Sequence, residues 1–199
     1  MNLDNLFCID LDQPTLEGFR KFISAWLYRG NGFTLLVDPG PLSTIPHLRG
    51  ELRRHGVERI DYVLLTHIHI DHAGGTGALL REFPEARVIC HPEGIRHLVA
   101  PEKLWQGSRK VLGTLAEAYG EIVPVPQEKI GFEEEIGASG VRVFLTPGHA
   151  QHHCCYCWTI CSLPARWPAC AARCRRGYTC VRPLRRVSCW RSPSIPSTG

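Results

Sequence analysis

The chain has 199 residues, of which 44% are hydrophobic and 21% are charged, and its formal net charge is +4 at neutral pH. This composition is typical of a globular protein with one hydrophobic core, and no apolar run reaches the roughly 20 residues that a membrane-spanning helix needs. The first twelve residues are acidic and lack the basic-then-apolar order of a signal peptide, so we expect a cytoplasmic protein without a membrane partner.

The charge is distributed unevenly along the chain. Residues 1–150 contain 15 Lys and Arg against 19 Asp and Glu, a net charge of −4. Residues 151–199 contain eight Arg, no Lys and no acidic residue, a net charge of +8, together with eight of the ten cysteines. The acidic first part therefore offers no basic surface for nucleic acid, and we expect a small-molecule substrate.

Strands and helices alternate along the first 145 residues. Residues 6–9 are predicted as a strand, and residues 22–28 and 33–37 as a hairpin around the turn at 30–32. Further helices are predicted at 45–55, 74–83, 92–99 and 104–120, and further strands at 60–66, 86–90, 122–125 and 141–145, with a weaker one at 132–136. This alternation predicts an α/β architecture in which helices cover the sheets.

The stretch LLTHIHIDHAGG, residues 64–75, places three histidines and an aspartate directly after a predicted buried strand. His67 and His69 lie at the end of that strand, and Asp71 and His72 lie where a helix is predicted to begin, a position that favours an anionic centre. Imidazole and carboxylate groups are ligands of Zn²⁺, which lowers the pKa of a bound water from 15.7 to about 7. The pattern predicts a zinc site in which Asp71 holds the water and accepts its proton.

A second histidine stretch, TPGHAQHH at 146–153, follows the predicted strand at 141–145. One turn cannot surround a metal ion, so a ligand from a distant strand end such as His149 is what a closed site needs. His152 and His153 are also available, and they are interpreted either as solvent-exposed residues or as residues that support the ligands.

Together HIHIDH (67–72), TPGH (146–149) and VDPG (37–40) resemble the motifs of the metallo-β-lactamase-fold hydrolase superfamily over about residues 5–156. The resemblance implies an αββα sandwich with a metal site at one edge of its two sheets. It implies that His67, His69 and His149 bind a first metal, that Asp71 and His72 contribute to a second, and that Asp38 supports the site from behind these ligands. One or two Zn²⁺ are expected, with Fe or Mn as possible replacements.

The expected function is hydrolysis, with a metal-bound hydroxide attacking an ester, thioester, amide or phosphoester. The diiron redox branch of the superfamily usually carries Glu at the second motif position, so His69 favours hydrolysis. However, the family pattern also has a bridging acid and a last histidine, and this sequence has no acidic residue after Glu135 and no histidine after His153. An incomplete sandwich is therefore predicted, and the alternative function is a catalytically impaired metal-binding remnant.

Residues 157–199 form an irregular tail rich in Cys, Arg and Pro, predicted to be disordered, which follows a metallo-β-lactamase-like domain at 1–156. The tail is interpreted in three ways: a cysteine-rich metal or nucleic-acid module, a disulfide-stapled extension, or GC-rich DNA read out of frame. The cysteines lack paired Cys-x2-Cys spacing and the rest of the chain is typical of a cytosolic protein. We favour a one-base slip near the codon for Tyr156, which the gene sequence would reveal, and expect the truncated sandwich to expose an apolar face.

Overall fold

The computed structural model describes residues 3–13, 16–30 and 32–158. Apart from residues 157 and 158, the tail predicted at 157–199 lies outside the described residues. Its three interpretations and its predicted disorder therefore stay predictions. The division into a domain at 1–156 and a tail stays a prediction.

The described residues form eight strands in two sheets. The first sheet has the order β1-β2-β3-β4-β5-β6, antiparallel from β1 to β3 and parallel from β3 to β6. The second sheet pairs β7 with β8 in antiparallel register, from Val141 opposite Trp158 to Leu145 opposite Cys154. The strands are β1 Leu6–Leu11, β2 Ile23–Gly30, β3 Phe33–Val37, β4 Tyr62–Leu64, β5 Arg87–Ile89, β6 Ile130–Gly131, β7 Val141–Leu145 and β8 Cys154–Trp158.

Six α-helices are described, and α1 shows why they form. Its buried residues Ile45, Leu48 and Leu52 recur at helical spacing, so they lie on one face that packs into the core. The longest helix, α5, has 11 residues, and no described helix is long and apolar enough to cross a membrane. The helices are α1 Ile45–Arg54, α2 Ile70–Ala73, α3 Thr76–Glu82, α4 Pro92–Val99, α5 Glu102–Leu112 and α6 Thr114–Tyr119.

Two hydrophobic clusters lie on opposite faces of the six-stranded sheet. One joins the sheet to helices α1, α3 and α4, through residues such as Leu48, Leu79 and Leu98. The other joins it to the two-stranded sheet, through residues such as Leu64 and Tyr156, and contains no helical residue. The described residues therefore form a helix–sheet–sheet sandwich, which confirms the predicted α/β class and the incomplete αββα architecture.

The two-stranded sheet leaves apolar side chains exposed. Phe144 and Leu145 of β7 are 46% and 49% exposed, although both are large hydrophobic residues. Because the two residues are adjacent in the strand, their side chains point to opposite sides of the sheet, and the exposed apolar face expected of an incomplete sandwich stays a prediction.

The predicted hairpin is confirmed, because β2 and β3 pair with Gly30 opposite Phe33. The predicted strand at 122–125 is wrong. Ile122 and Val125 are buried, but the segment joins neither sheet, and Val125 N donates to Leu98 O at 2.9 Å. The helix predicted from residue 74 is also different, because the chain already turns into α2 at Ile70 and starts a second helix at Thr76.

The helix predicted at 104–120 is two helices. Gly113 separates α5 from α6 with φ 57° and ψ −128°, a backbone conformation that glycine adopts more readily than any other residue. Strand β8 was not predicted, because Cys154–Trp158 shows no alternation of apolar and polar residues. In the structure all five of its residues pair with β7.

Two glycines in helices offer a matched test of packing. A Cβ on Gly77 in α3 would lie 2.2 Å from Val123 O, whereas a Cβ on Gly50 in α1 would meet nothing within 4 Å. We expect Gly77→Ala to lower the free energy of unfolding by about 1–3 kcal/mol through overpacking. Gly50→Ala should raise it by about 0.5–1 kcal/mol, because alanine is the better helix former. Urea denaturation of both variants measures the difference, and equal effects would contradict the close approach at Gly77.

Candidate metal centre

The candidate site lies where loops from both sheets meet. His67, His69 and the start of α2 follow β4, while His149 lies in the loop that joins β7 to β8. A hydrogen bond in which Cys154 N donates to Thr66 O at 2.6 Å joins the start of β8 to the segment that follows β4. Hydrogen bonding of the backbone thus places histidines distant in sequence at one edge of the sandwich.

Three imidazoles converge at this edge. A ligand nitrogen from each of His67, His69 and His149 lies within 4.8 Å of the others. Their ring centroids are 4.5 Å apart for His67 and His69, 5.1 Å for His67 and His149, and 5.0 Å for His69 and His149. Three nitrogen donors in a triangle match the protein ligand set of a catalytic zinc site, which leaves a fourth position for water or substrate.

Hydrogen bonds fix the protonation of His67. The Thr66 hydroxyl donates to Asp38 Oδ2 at 2.6 Å, and it also contacts His67 Nδ1 at 3.0 Å. Because the hydroxyl has one proton and gives it to the carboxylate, it must accept from His67 Nδ1–H. The lone pair of His67 is therefore on Nε2, which is buried and has no hydrogen-bond partner.

The electrostatics of these rings fit a metal ion. Burial, together with the neighbouring His72 and His69, lowers the pKa of His67 far below its ordinary value. Burial also lowers the pKa of His69 to about 4, although the Asp71 carboxylate opposes this shift. Both rings are therefore neutral at physiological pH, as metal ligation requires, and a cation would satisfy the unpaired Nε2 of His67.

Asp38 organises the residues behind the three imidazoles. It is fully buried, has φ 50°, and accepts from Thr66 N at 2.8 Å as well as from the Thr66 hydroxyl. Its Oδ2 also lies 2.9 Å from His72 Nδ1. One carboxylate thus holds the strand end that carries His67 and the helix that carries His72.

Asp71 and His72 lie beside the triangle. The Asp71 carboxylate is 38% exposed, and its Oδ2 lies 3.6 Å from His72 Nε2. Burial acts to lower the pKa of His72, but the Asp71 and Asp38 carboxylates outweigh it and raise the pKa above its ordinary value. The structure therefore brings together every residue that the sequence predicted for the site, and their roles as ligands stay predictions.

Several residues that shape the site were not singled out from the sequence. The Thr66 hydroxyl lies between Asp38 Oδ2 and His67 Nδ1 and forms a hydrogen bond with each. Thr146 Oγ1 lies 2.8 Å from Nδ1 of the buried His153. The Tyr156 hydroxyl donates to the carbonyl oxygens of Leu65 and Ile89 at 2.8 and 3.0 Å, which joins β8 to the ends of β4 and β5. A threonine directly before the first histidine, and another at the head of TPGH, were the available signals.

The lowered pKa of His69 predicts a pH dependence of stability. In the unfolded chain this imidazole binds a proton near pH 6.5, whereas in the folded chain it does so only near pH 4. Between these values the unfolded state holds more protons, so the metal-free chain should lose stability as the pH falls from about 6.5 toward 4. Urea denaturation across this range should show a shallower loss for His69→Gln than for the wild type or for His47→Gln, which changes an exposed histidine. Parallel losses in all three would contradict the prediction.

Comparisons with known proteins agree with this geometry. A family model described as the metallo-beta-lactamase superfamily matches residues 18–163, which contain all three motifs. The chain is 31% identical over 144 residues to a metallo-beta-lactamase fold-containing protein of Sulfurisphaera tokodaii, a match that covers 68% of this chain and 52% of the relative. It is 30% identical over 125 residues to a hydroxyacylglutathione hydrolase of Stenotrophomonas maltophilia, covering 62% of this chain and 37% of that one.

A solved structure shows the same fold. The crystal structure of an archaeal metallo-beta-lactamase superfamily protein from Sulfolobus tokodaii superposes with a TM-score of 0.63 at 27% identity, over 76% of this chain and 59% of that one. The chain spans about half the length of the first curated relative that it matches.

Proposed function

We propose that this chain, which belongs to the metallo-beta-lactamase superfamily, is a metal-dependent hydrolase of small carbonyl or phosphoester substrates. The observation that carries the proposal is that ligand nitrogens of three imidazoles lie within 4.8 Å of one another, while Nε2 of one of these rings, His67, is buried and unpaired. Hydrolase relatives support it, since the Stenotrophomonas maltophilia protein is named for hydrolysis of hydroxyacylglutathione. A thioester is therefore the first substrate class to test.

His67, His69 and His149 are proposed to hold the first metal, for which Zn²⁺ suits three neutral imidazoles. A zinc ion there would supply Lewis acidity and lower the pKa of a water molecule that it holds. The chain's own contribution is to fix the imidazoles, because Thr66 and Asp38 set the ring orientation and protonation of His67. Such support behind the ligands typically contributes 10–100-fold in metal affinity or activity.

Asp71 is proposed as the residue that positions water and accepts its proton. Its carboxylate is 38% exposed, and its Oδ2 lies 3.6 Å from His72 Nε2. His72 is itself held by Asp38, so Asp71 faces a ring of fixed orientation. A carboxylate that is accessible and lies beside a ring of fixed orientation can take a proton from water and pass it to solvent.

A non-catalytic metal-binding protein is the second candidate, and a specific observation favours it. Asp71 and His72 could contribute to a second metal, but the sequence contains no acidic residue after Glu135 and no histidine after His153 to complete it. The chain would then bind one metal ion at the triangle without the bridge that a two-metal mechanism uses. The number of metals bound and the turnover separate the two candidates.

The test is to incubate the full chain with Zn²⁺, remove free metal by gel filtration, and measure zinc content and hydrolysis of an acylglutathione thioester. Bound zinc with turnover that His67→Ala abolishes supports the hydrolase. One zinc per chain without turnover of thioester, ester or phosphoester substrates supports the metal-binding remnant. If parallel incubations with zinc, iron and manganese each leave no metal bound, both candidates are overturned.

A further inference from the structure

His152 lies beside the three converging imidazoles but is not one of them. Its ring centroid is 5.6 Å from that of His69 at an interplanar angle of 88°, and 6.4 Å from that of His67 at 14°. It is half-buried, and no fourth nitrogen joins the group of His67, His69 and His149 among the described residues. A role other than direct ligation is therefore needed for this side chain.

A backbone hydrogen bond fixes which nitrogen of His152 carries the proton. Ile68 N donates to His152 Nδ1 at 3.4 Å. A backbone N–H is always a donor, so Nδ1 must supply the lone pair and the neutral ring must carry its proton on Nε2. Ile68 lies between His67 and His69, so the same bond ties the His152 ring to the loop that carries two of the proposed ligands.

The outward nitrogen of His152 is a donor without an acceptor. In the described part of the chain, Ile68 N engages Nδ1, and no other residue forms a hydrogen bond with the His152 ring. A fixed N–H group beside a metal centre can donate to an oxygen on which negative charge develops, and such prearranged donors are a large part of catalysis at carbonyl and phosphoryl centres.

We propose that His152 is a specificity and positioning residue whose Nε2–H donates to an anionic or developing-anionic oxygen of the substrate bound at the three imidazoles. This rests on the proposed hydrolase function, which it deepens by assigning the substrate an oxygen that lies on the His152 side of the metal. The Nε2–H group of His152 lies beside the imidazoles whether or not a substrate is hydrolysed. It should therefore affect the binding of tetrahedral anions even when turnover is absent.

The two nitrogens of His152 can be tested separately. In His152→Asn the side-chain oxygen replaces Nδ1 and can still accept from Ile68 N, but the outward donor is lost. In His152→Gln an amide N–H lies near the position of Nε2, so the outward donor is retained. A merely structural role would make Asn the milder change, whereas the proposal makes Gln the milder one.

The first measurement is the affinity of the zinc-loaded chain for phenylphosphonate, a tetrahedral anion, by calorimetry. We expect His152→Asn to weaken binding by about 10- to 100-fold and His152→Gln by less than about threefold. In thioester hydrolysis, His152→Asn should lower kcat by about 10²-fold or more with zinc content unchanged. Loss of zinc from both variants would show that His152 is needed for the metal itself and would overturn the proposal.

The second measurement is independent of metal and activity. Long-range ¹H–¹⁵N NMR of histidine-labelled protein should show His152, assigned by its absence in His152→Asn, with the proton on Nε2. A proton on Nδ1 would overturn the proposal. Turnover without any difference between the two variants would refute the role of His152 and leave the hydrolase intact, while phosphonate discrimination without turnover would support His152 and refute the hydrolase.

Discussion

Replacing Asp38 with alanine should lower the free energy of unfolding by about 3–5 kcal/mol, the cost of removing one partner from a buried, hydrogen-bonded charge pair. The carboxylate accepts from the Thr66 backbone and hydroxyl and contacts His72 Nδ1 at 2.9 Å. All of these groups lose their partner when the side chain is shortened, and alanine tolerates the local φ of 50° poorly. A domain with a total stability of about 5–15 kcal/mol would be left marginal.

Two further variants separate charge from backbone effects. Asparagine adopts positive φ more readily than other non-glycine residues and can still accept from Thr66 N, so Asp38→Asn should lose about 1–3 kcal/mol. Asp10→Ala removes a partly exposed carboxylate that pairs with Lys21 and should lose no more than about 1 kcal/mol. Urea denaturation followed by tryptophan fluorescence measures all three. A value for Asp38→Ala close to that for Asp10→Ala would refute the central role of Asp38.

The elements that the sequence predicts well are those whose signals are local. The hairpin from β2 to β3 is marked by two glycines at its turn, and α1 by apolar residues that recur at helical spacing and by a following glycine. The convergence of the histidines was also predictable, because histidine and aspartate crowded after a strand are typical of a metal site; their roles as ligands stay predictions. Loops that follow neighbouring strands meet at one edge of a sandwich, which places His149 near His67 once the fold is known.

What the sequence did not predict depends on contacts between segments distant along the chain. Ile122 and Val125 of the run at 122–125 are buried, and α3 packs closely against this run, with Gly77 facing Val123 O. Burial selects apolar residues whether or not the backbone pairs with a strand, so composition alone could not distinguish the two cases. Strand β8 is the converse, since its cysteines give no alternating pattern and its pairing with β7 is what makes it a strand.

The support behind the ligands was unpredictable for the same reason. Thr66 is an ordinary residue until its hydroxyl lies between Asp38 and His67, and Tyr156 gains its role only where Leu65 and Ile89 end neighbouring strands. Residue type indicates which side chains can bind a metal. The order of proton donors and acceptors that makes them ready to do so is a property of the folded chain.

His149→Ala should reduce zinc affinity by on the order of 100-fold or more. This factor corresponds to the contribution of one ligand to the binding free energy of a protein zinc site. His149 is the exposed member of the triangle and lies in the loop between β7 and β8, so its removal disturbs little packing. The free energy of unfolding of the metal-free chain should therefore change by less than about 0.5 kcal/mol. His67→Ala is a poorer test, because it also opens a cavity in the buried part of the site.

Linkage between binding and folding makes this prediction measurable without any substrate. A metal that binds only the folded chain raises its stability in proportion to the logarithm of the metal concentration over the dissociation constant. Wild-type chain and His47→Ala, which alters an exposed histidine on α1, should therefore gain thermal stability as Zn²⁺ is added, while His149→Ala should gain much less. Equal gains in all three would mean that zinc binds elsewhere, and the imidazoles of His67, His69 and His149 would then be near one another for a structural reason alone.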